Sequence, residues 1–452
     1  AASDVYKRQI LFNMYITPAQ GLTLTSVLRG ILGICVLLFI AWLLSKDRKK
    51  IDWKIVVTGL SLQILLAFGM LYIPALQIFF EFLGKIFVKI LEFTRQGTAF
   101  LAGSLLDTSK VGYIFIFQVL PTLIFFSALI SLLYYLNIIQ RIVQGVGWCI
   151  RKIFRLSGSE GLTVAGNIFL GMCEAPILVK RYLPFMNRSE MFLVMSVGMA
   201  TISGGVMAAY IGMLGGDDPT ARLQFAKYLI SASVMAAPGA IVFSKIIIPQ
   251  TEPLSHIEVS IPRDKAGKNI LDAISNGAIE GLKLAVTVAA LLLVFIAMVA
   301  LLNYLLGDLI GHYTGLNRWL SEMAGHPVIF NFQTLIGWIF TPIAWIMGVC
   351  NADTGYVGSL LGTKIVLNEF VAYADLNILK NAGTFIQEKS IIIATFALCG
   401  FANISSIGMQ IGGIGVLAPD QRKTLTRYGF LAMICGTLAS CMSATIVGMI
   451  IG

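Results

Sequence analysis

Charge is scarce in this chain. Of its 452 residues, 12% are Asp, Glu, Lys or Arg and 57% are apolar, against about 25% charged and about 45–50% apolar in soluble domains. That excludes a soluble globular protein and a disordered tail. Histidine is rarer still: His256, His312 and His326 all fall in polar or interfacial segments, where they read as solvated rather than catalytic. The seven cysteines (Cys35, Cys149, Cys173, Cys350, Cys399, Cys435 and Cys441) form no CxxC pair. Six lie in or beside apolar stretches, which predicts buried thiols rather than disulfides. HExxH, GxSxG and GxxxxGK[ST] are all missing. An intramembrane enzyme would need a nucleophile–base pair or metal cluster, and none is legible. Ten-residue alternating strands, the mark of a membrane β-barrel, are missing too. No cleavable signal peptide is expected in residues 1–20.

What is present is a series of apolar runs of about twenty residues, which predicts an all-α polytopic membrane protein. Spans are expected at Thr25–Leu44, Ile55–Ile73, Tyr113–Leu136, Phe192–Met213, Ala226–Ile248, Leu282–Leu306, Ile391–Leu417 (interrupted at Phe401–Ser406) and Tyr428–Ile451, about eight in all. Pro238 is a candidate kink, and a polar loop is expected over Gln250–Glu280. Leu76–Leu106 carries Glu81, Lys85, Lys89, Glu92 and Arg95 at helical spacing, as an interfacial helix does. The stretch around Arg141, Trp148, Arg151, Lys152 and Arg155 is a second amphipathic candidate, and Gly307–Phe332 a third. The net charge of +10 is assigned to loops that orient the spans, not to nucleic-acid contact. Lys and Arg cluster after spans one, three, five and seven, so those loops are expected in the cytoplasm and both termini outside.

Two apolar segments are too broken to be simple spans. GLTVAGNIFLGMCEAPILVKRYLPF is interrupted by Asn167, Gly171, Glu174 and Pro176. GWIFTPIAWIMGVCNADTGYVGSLLGTKIVLNEFVAY is interrupted by Pro342, Gly348 and Asn351–Asp353, and its last polar pair is Asn368-Glu369. Glu174 and Glu369 are the carboxylates most firmly set in apolar sequence, where a charge costs about 2.5–3.5 kcal/mol on the insertion scale. Each is followed, roughly thirty residues on, by a span with a polar break: Thr201–Gly205 in one half, Asn403–Ser406 in the other. Paired broken segments in two halves predict an inverted-repeat transporter with two re-entrant helical hairpins and a midplane site. A single such Glu reads equally as an interhelical hydrogen-bond partner, and Gly204-Gly205 and Gly412-Gly413 as packing surfaces. A passive channel is the rival within membrane proteins.

At these residues the chain resembles the concentrative nucleoside transporters, the ion-coupled nucleoside symporters. The resemblance rests on GNIFLGMCEAP (166–176), MATISGGV (199–206), GTKIVLNEFVAY (362–373) and GFANISSIGMQIGGIG (400–415), in family order and spacing. It covers nearly the whole chain. It implies that Glu174 faces the nucleobase with Val206 nearby. It also implies that Glu369, Asn403 and Ser406 hold the ribose hydroxyls, and that Phe401 lies beside the nucleoside. Asn167 and Thr201 side chains, with carbonyls of Leu170 and Ile202, would form the sodium site. One departure stands out: the family commonly reads Gly-Gln-Thr-Glu or Gly-Gln-Ser-Glu where this chain has Gly171-Met172-Cys173-Glu174. Met172 and Cys173 are weak hydrogen-bond partners, so base selectivity does not carry over.

The resemblance further implies no cofactor, a coupling ion that is sodium or else a proton, and a homotrimer in the inner or plasma membrane. The expected organisation is one transporter domain over 1–452, with scaffold helices in 24–160 and 278–335. The first hairpin and its transport helices would occupy 161–250, and the second set 336–452. A channel or receptor on the same fold is the alternative outside symport.

Overall fold

The computed structural model describes residues 22–106, 114–172, 174–216, 218–252, 267–324 and 329–452. Among these there are helices and turns but no strand. α1 (Leu24–Leu43) and α2 (Trp53–Tyr72) match spans one and two. α3 (Pro74–Ala102) is one 29-residue amphipathic helix. It buries Phe80, Gly84, Leu91, Thr94 and Thr98 along one face and carries Lys85–Glu81 and Lys89–Glu92 pairs on the other. α4 (Phe115–Tyr135) follows, then α5 (Ile138–Phe154), whose basic residues Arg141, Arg151 and Lys152 are exposed while Val143 and Gly147 are buried.

The first hairpin begins with α6 (Gly158–Phe169). Its returning arm is not a helix but two 3-10 turns, Ala175–Val179 and Leu183–Phe185. Pro176, lacking an N–H, sits in the first of these turns. Leu178 packs back on Gly166, so the chain reverses between them. The split span that follows is α7 (Arg188–Ala200) and α8 (Gly204–Gly215), and it leads to α9 (Pro219–Ile247). Capping boxes start both α6 and α7: Ser157 with Glu160, and Asn187 with Glu190.

In the second half α10 (Ile270–Asn303) continues as a π-helix over Tyr304–Gly311, and α11 (Leu316–Ala324) and α12 (Phe332–Ile346) follow. α13 (Thr354–Val366) and α14 (Glu369–Asn381) pack together as the second hairpin. α15 (Glu388–Leu398) and α16 (Ile404–Leu417) are a second split span, and α17 (Arg422–Ile451) closes the chain. Hairpin, split span and long helix thus occur twice in the same order.

Among the described residues, seven helical stretches are long and apolar enough to cross a membrane; the expected interrupted span Ile391–Leu417 is the pair α15 and α16. α7–α8, α9 and α17 are enclosed almost wholly by protein, whereas α1, α2, α4 and α10 bury less than half of their residues. The outer helices turn Phe39, Leu65, Phe68, Leu293 and Leu301 outward, a surface suited to lipid rather than water.

Several boundaries correct the sequence reading. Span five begins at Pro219, not Ala226, because Asp218 caps it through the Thr220 N–H and proline suits a first helical position; Pro238 lies inside this continuous helix. Span six begins at Ile270, capped by Asn269, so the expected polar loop ends eleven residues early. Span eight starts at Arg422. In the second broken segment, Pro342 is inside α12, and Gly348 and Asn351–Asp353 link α12 to the hairpin. The hairpin turns at Leu367-Asn368 and returns as far as Asn381. Cys399, Cys435 and Cys441 are buried, but Cys35 and Cys149 are exposed on outward helix faces. Cys173, His256 and His326 lie outside the described residues; His312 is exposed.

Candidate functional site

The two hairpins are anchored at their bases by buried acids. Glu160 accepts the Ser157 N–H at 2.9 Å and the Lys245 ammonium at 2.5 Å, and Lys245 also donates to Ser189. Asp353 accepts the Ile386 and Gln387 N–H groups at 3.1 and 3.3 Å. So held, each hairpin sends its turn toward the break of a split span. A Cβ on Gly171 would lie 3.4 Å from the Ser203 Cβ, which puts the first turn against the first break.

The two breaks also meet. Gly400 has φ +117°, and a Cβ there would lie 2.5 Å from the Ala200 carbonyl oxygen. Only glycine permits both the conformation and the approach. Beyond each break a polar side chain restarts the helix: Ser203 caps α8, and Asn403 caps α16 through the Ser406 N–H at 2.8 Å.

Between the turns and breaks lies a cavity of about 110 Å³, with Met172, Glu174, Val206, Glu369, Phe401 and Asn403 in its walls. Six of the eight expected substrate residues therefore converge. Glu369, almost fully buried at the first position of α14, accepts Asn403 Nδ2 at Oε2 (2.7 Å) and the Tyr210 hydroxyl at Oε1 (3.1 Å). A helix start favours negative charge. Each carboxylate oxygen has two acceptor sites, so acceptor capacity remains for a ligand. Across the cavity Glu174 Oε2 accepts the Gly171 N–H at 3.1 Å.

Ser406 departs from the expectation. Its side chain is fully buried and its Oγ has no hydrogen-bond partner, while Ser405 lines the cavity. Successive helix positions point about 100° apart, so the first turn of α16 presents one serine to the cavity and the other to the core.

The four residues expected to hold an ion lie at the first turn and break. Asn167, fully buried near the end of α6, donates to the Thr163 carbonyl at 2.9 Å, and its Oδ1 is left without a partner. Thr201, the C-cap of α7, donates to the Val197 carbonyl and keeps its lone pairs. Leu170 ends α6 and Ile202 lies in the break, both buried. A neutral, all-oxygen donor set with an orphaned buried carbonyl oxygen fits a hard monovalent cation. Among the described residues no group of three or more His, Cys, Asp or Glu converges to suggest a transition metal.

Sequence reading missed three groups. Tyr210 lies four residues after Val206 on the same face of α8 and packs against Tyr373 in a tilted contact and against Phe370 edge-to-face, at 4.4 and 4.9 Å between centroids, both in the second hairpin; its i, i+4 spacing from Val206 was the available signal. Lys364, buried within GTKIVLNEFVAY, signalled itself by being charged in an apolar run. Leu284, Thr287 and Val288 of α10 wall the cavity and carry no local signal. A larger cavity, about 430 Å³, lies at the far ends of α8 and α14, beside Arg95, Arg222 and Lys380; no expected site residue lines it.

Known proteins resemble the chain over most of its length. Family models described as Na+ dependent nucleoside transporter N-terminus and C-terminus match residues 32–105 and 228–448, and one described as nucleoside recognition matches residues 116–217. Nucleoside permease NupC of Helicobacter pylori is 38% identical over 94% of this chain and 98% of its own. Sodium/nucleoside cotransporter 2 of Rattus norvegicus is 38% identical over 92% of this chain and 62% of its own. Among solved structures, CNTnw in an inward-facing substrate-bound state superposes with TM-score 0.84 at 35% identity, over 94% of this chain and 99% of that one. A CNTnw variant in an outward-facing state gives 0.85 at 35% identity, over 95% and 99%. The chain belongs to the concentrative nucleoside transporter family, and is a multi-pass membrane transporter rather than an enzyme.

Proposed function

We propose that this protein imports nucleosides as a secondary-active symporter driven by a sodium gradient. The observation that carries the reading is Glu369: a buried carboxylate, positioned by Asn403 and Tyr210, with unused acceptor sites in a cavity between the two repeats. Paired ribose hydroxyls suit such an acceptor, since charge-assisted hydrogen bonds are roughly twice as strong as neutral ones. Glu174 and Met172 then take the base, with Val206 and Phe401 as apolar walls and Cys173 beside them in sequence. Because a thioether is an adaptable apolar contact, base choice is relaxed relative to family members with Gln and Thr or Ser.

Sodium sits at Asn167, Thr201, Leu170 and Ile202. One positive charge crossing 100 mV supplies about 2.3 kcal/mol, and a tenfold gradient adds about 1.4 kcal/mol. One ion per nucleoside thus supports accumulation on the order of 500-fold. The hairpins and split spans (161–250 and 336–452) move as a body against the scaffold (24–160 and 278–335), in an elevator-type exchange, within a homotrimer in the cell membrane. The outward helix faces, and relatives solved facing both sides, support that reading.

The test is radiolabelled nucleoside uptake into proteoliposomes, with sodium and pH gradients imposed separately. Accumulation is expected with sodium and not with choline at fixed pH. Full accumulation without sodium, lost when the pH gradient collapses, would reject sodium and move the coupling role to a proton on Glu174 or Glu369.

A further inference from the structure

Lys364 is fully buried three residues before Leu367, the C-cap of α13. Asn167 is fully buried three residues before Leu170, the C-cap of α6. Each cap N–H closes on the carbonyl four residues back: Leu170 on Gly166 at 2.7 Å, and Leu367 on Thr363 at 2.9 Å. In the register of the repeats, Lys364 therefore takes the place of Asn167.

Its contacts lie at the matching helix end. α7 ends at the C-cap Thr201, itself one of the proposed sodium ligands; its counterpart α15 ends at the Cys399 C-cap. Lys364 Nζ donates to the carbonyls of Ala397 and Cys399 at 3.0 and 3.4 Å. The last carbonyls of a helix lack intrahelical partners and carry the negative end of its dipole. In broken membrane helices such ends are where cations are coordinated. An ammonium is a compact point charge with three donors, suited to that position.

We propose that the Lys364 ammonium is a tethered cation filling the second repeat's counterpart of the ion pocket. Only the first pocket, with its neutral Asn167, is then left for a mobile ion, which sets one ion per nucleoside. This rests on the sodium reading above.

The test is the sodium dependence of nucleoside uptake in proteoliposomes for wild type, Lys364→Asn and Asn167→Lys. A Hill coefficient reaches at most the number of sites, so wild type should give about one and Lys364→Asn a rise toward two. Asn167→Lys, which tethers a cation in the first pocket, should bind nucleoside equally in sodium and in choline; this second variant serves if Lys364→Asn does not fold. A folded Lys364→Asn that stays at a coefficient of about one overturns the proposal. So does a folded Asn167→Lys that still needs sodium, or that binds nucleoside in neither salt. A wild type indifferent to sodium would instead overturn the sodium reading, and is seen before either variant is compared.

Discussion

At the scale of single residues, the site works by leaving particular acceptors unfilled. Glu369 and Asn167 are both enclosed, both fixed by a protein partner, and both keep an oxygen lone pair in reserve. Glu369 is already partly satisfied, whereas Asn167 Oδ1 has no partner at all, and an unsatisfied buried polar group costs about 1–3 kcal/mol that a ligand can relieve. Met172 is the opposite case: a buried side chain in the cavity wall that offers almost no hydrogen bonding. Met172→Gln adds a neutral donor and acceptor worth about 0.5–1.5 kcal/mol net. The ratio of uridine to adenosine affinity in competition uptake is expected to change severalfold, and an unchanged ratio would show that position 172 does not face the base.

At the scale of elements, the breaks and hairpin bases decide whether those residues meet. Gly400→Ala forces an L side chain into a left-handed conformation, about 1–2 kcal/mol by itself, and drives a Cβ against the Ala200 carbonyl. It should lower the thermal unfolding midpoint of the purified protein markedly. Gly355→Ala in α13, which meets open space, should leave the midpoint unchanged or raise it. The base of the first hairpin makes a second prediction. Glu160 and Lys245 are buried almost completely, and removing one partner of such a pair costs about 3–5 kcal/mol. Lys245→Met is therefore expected to destabilise strongly, and adding Glu160→Gln, which keeps an acceptor for the Ser157 N–H, to restore much of the loss. Equal midpoints for the two variants would contradict this account of the hairpin base.

The broken segments were legible in the sequence because proline, glycine and acids stand out in apolar runs, and so Glu174, Glu369 and both breaks could be located. Helix starts at Pro219, Ile270 and Arg422 were not, because polar first turns project beyond the hydropathic window, although Asp218 and Asn269 are local caps for the first two. The side of α16 that faces the cavity was not legible either: Ser405 and Ser406 are chemically identical, and only helix phase against packed neighbours separates them. Nothing in Leu284, Thr287 or Val288 marks the wall they form, since contact across the fold leaves no trace in spacing.

At the scale of the whole molecule, two copies of one plan, hairpin then split span then long helix, are joined where their breaks touch at Gly400 and Ala200. α9 and α17 pack together at the centre, while lipid-facing helices surround them. The cavity between the repeats also touches α10 through Leu284, Thr287 and Val288, so a ligand there lies between the repeat core and an outer helix. That placement suits the elevator-type exchange proposed above. The claim on which the account depends is that Glu369 holds the ribose. The most direct measurement is equilibrium binding of a ribonucleoside and its 2′- and 3′-deoxy analogues to wild type and to Glu369→Gln. A hydrogen bond to a charged group is worth about 1.5–3 kcal/mol, roughly tenfold or more in affinity. Wild type should reject at least one deoxy analogue by that factor, and Glu369→Gln should lose both the ribonucleoside affinity and the discrimination. Full discrimination surviving in Glu369→Gln would contradict the account.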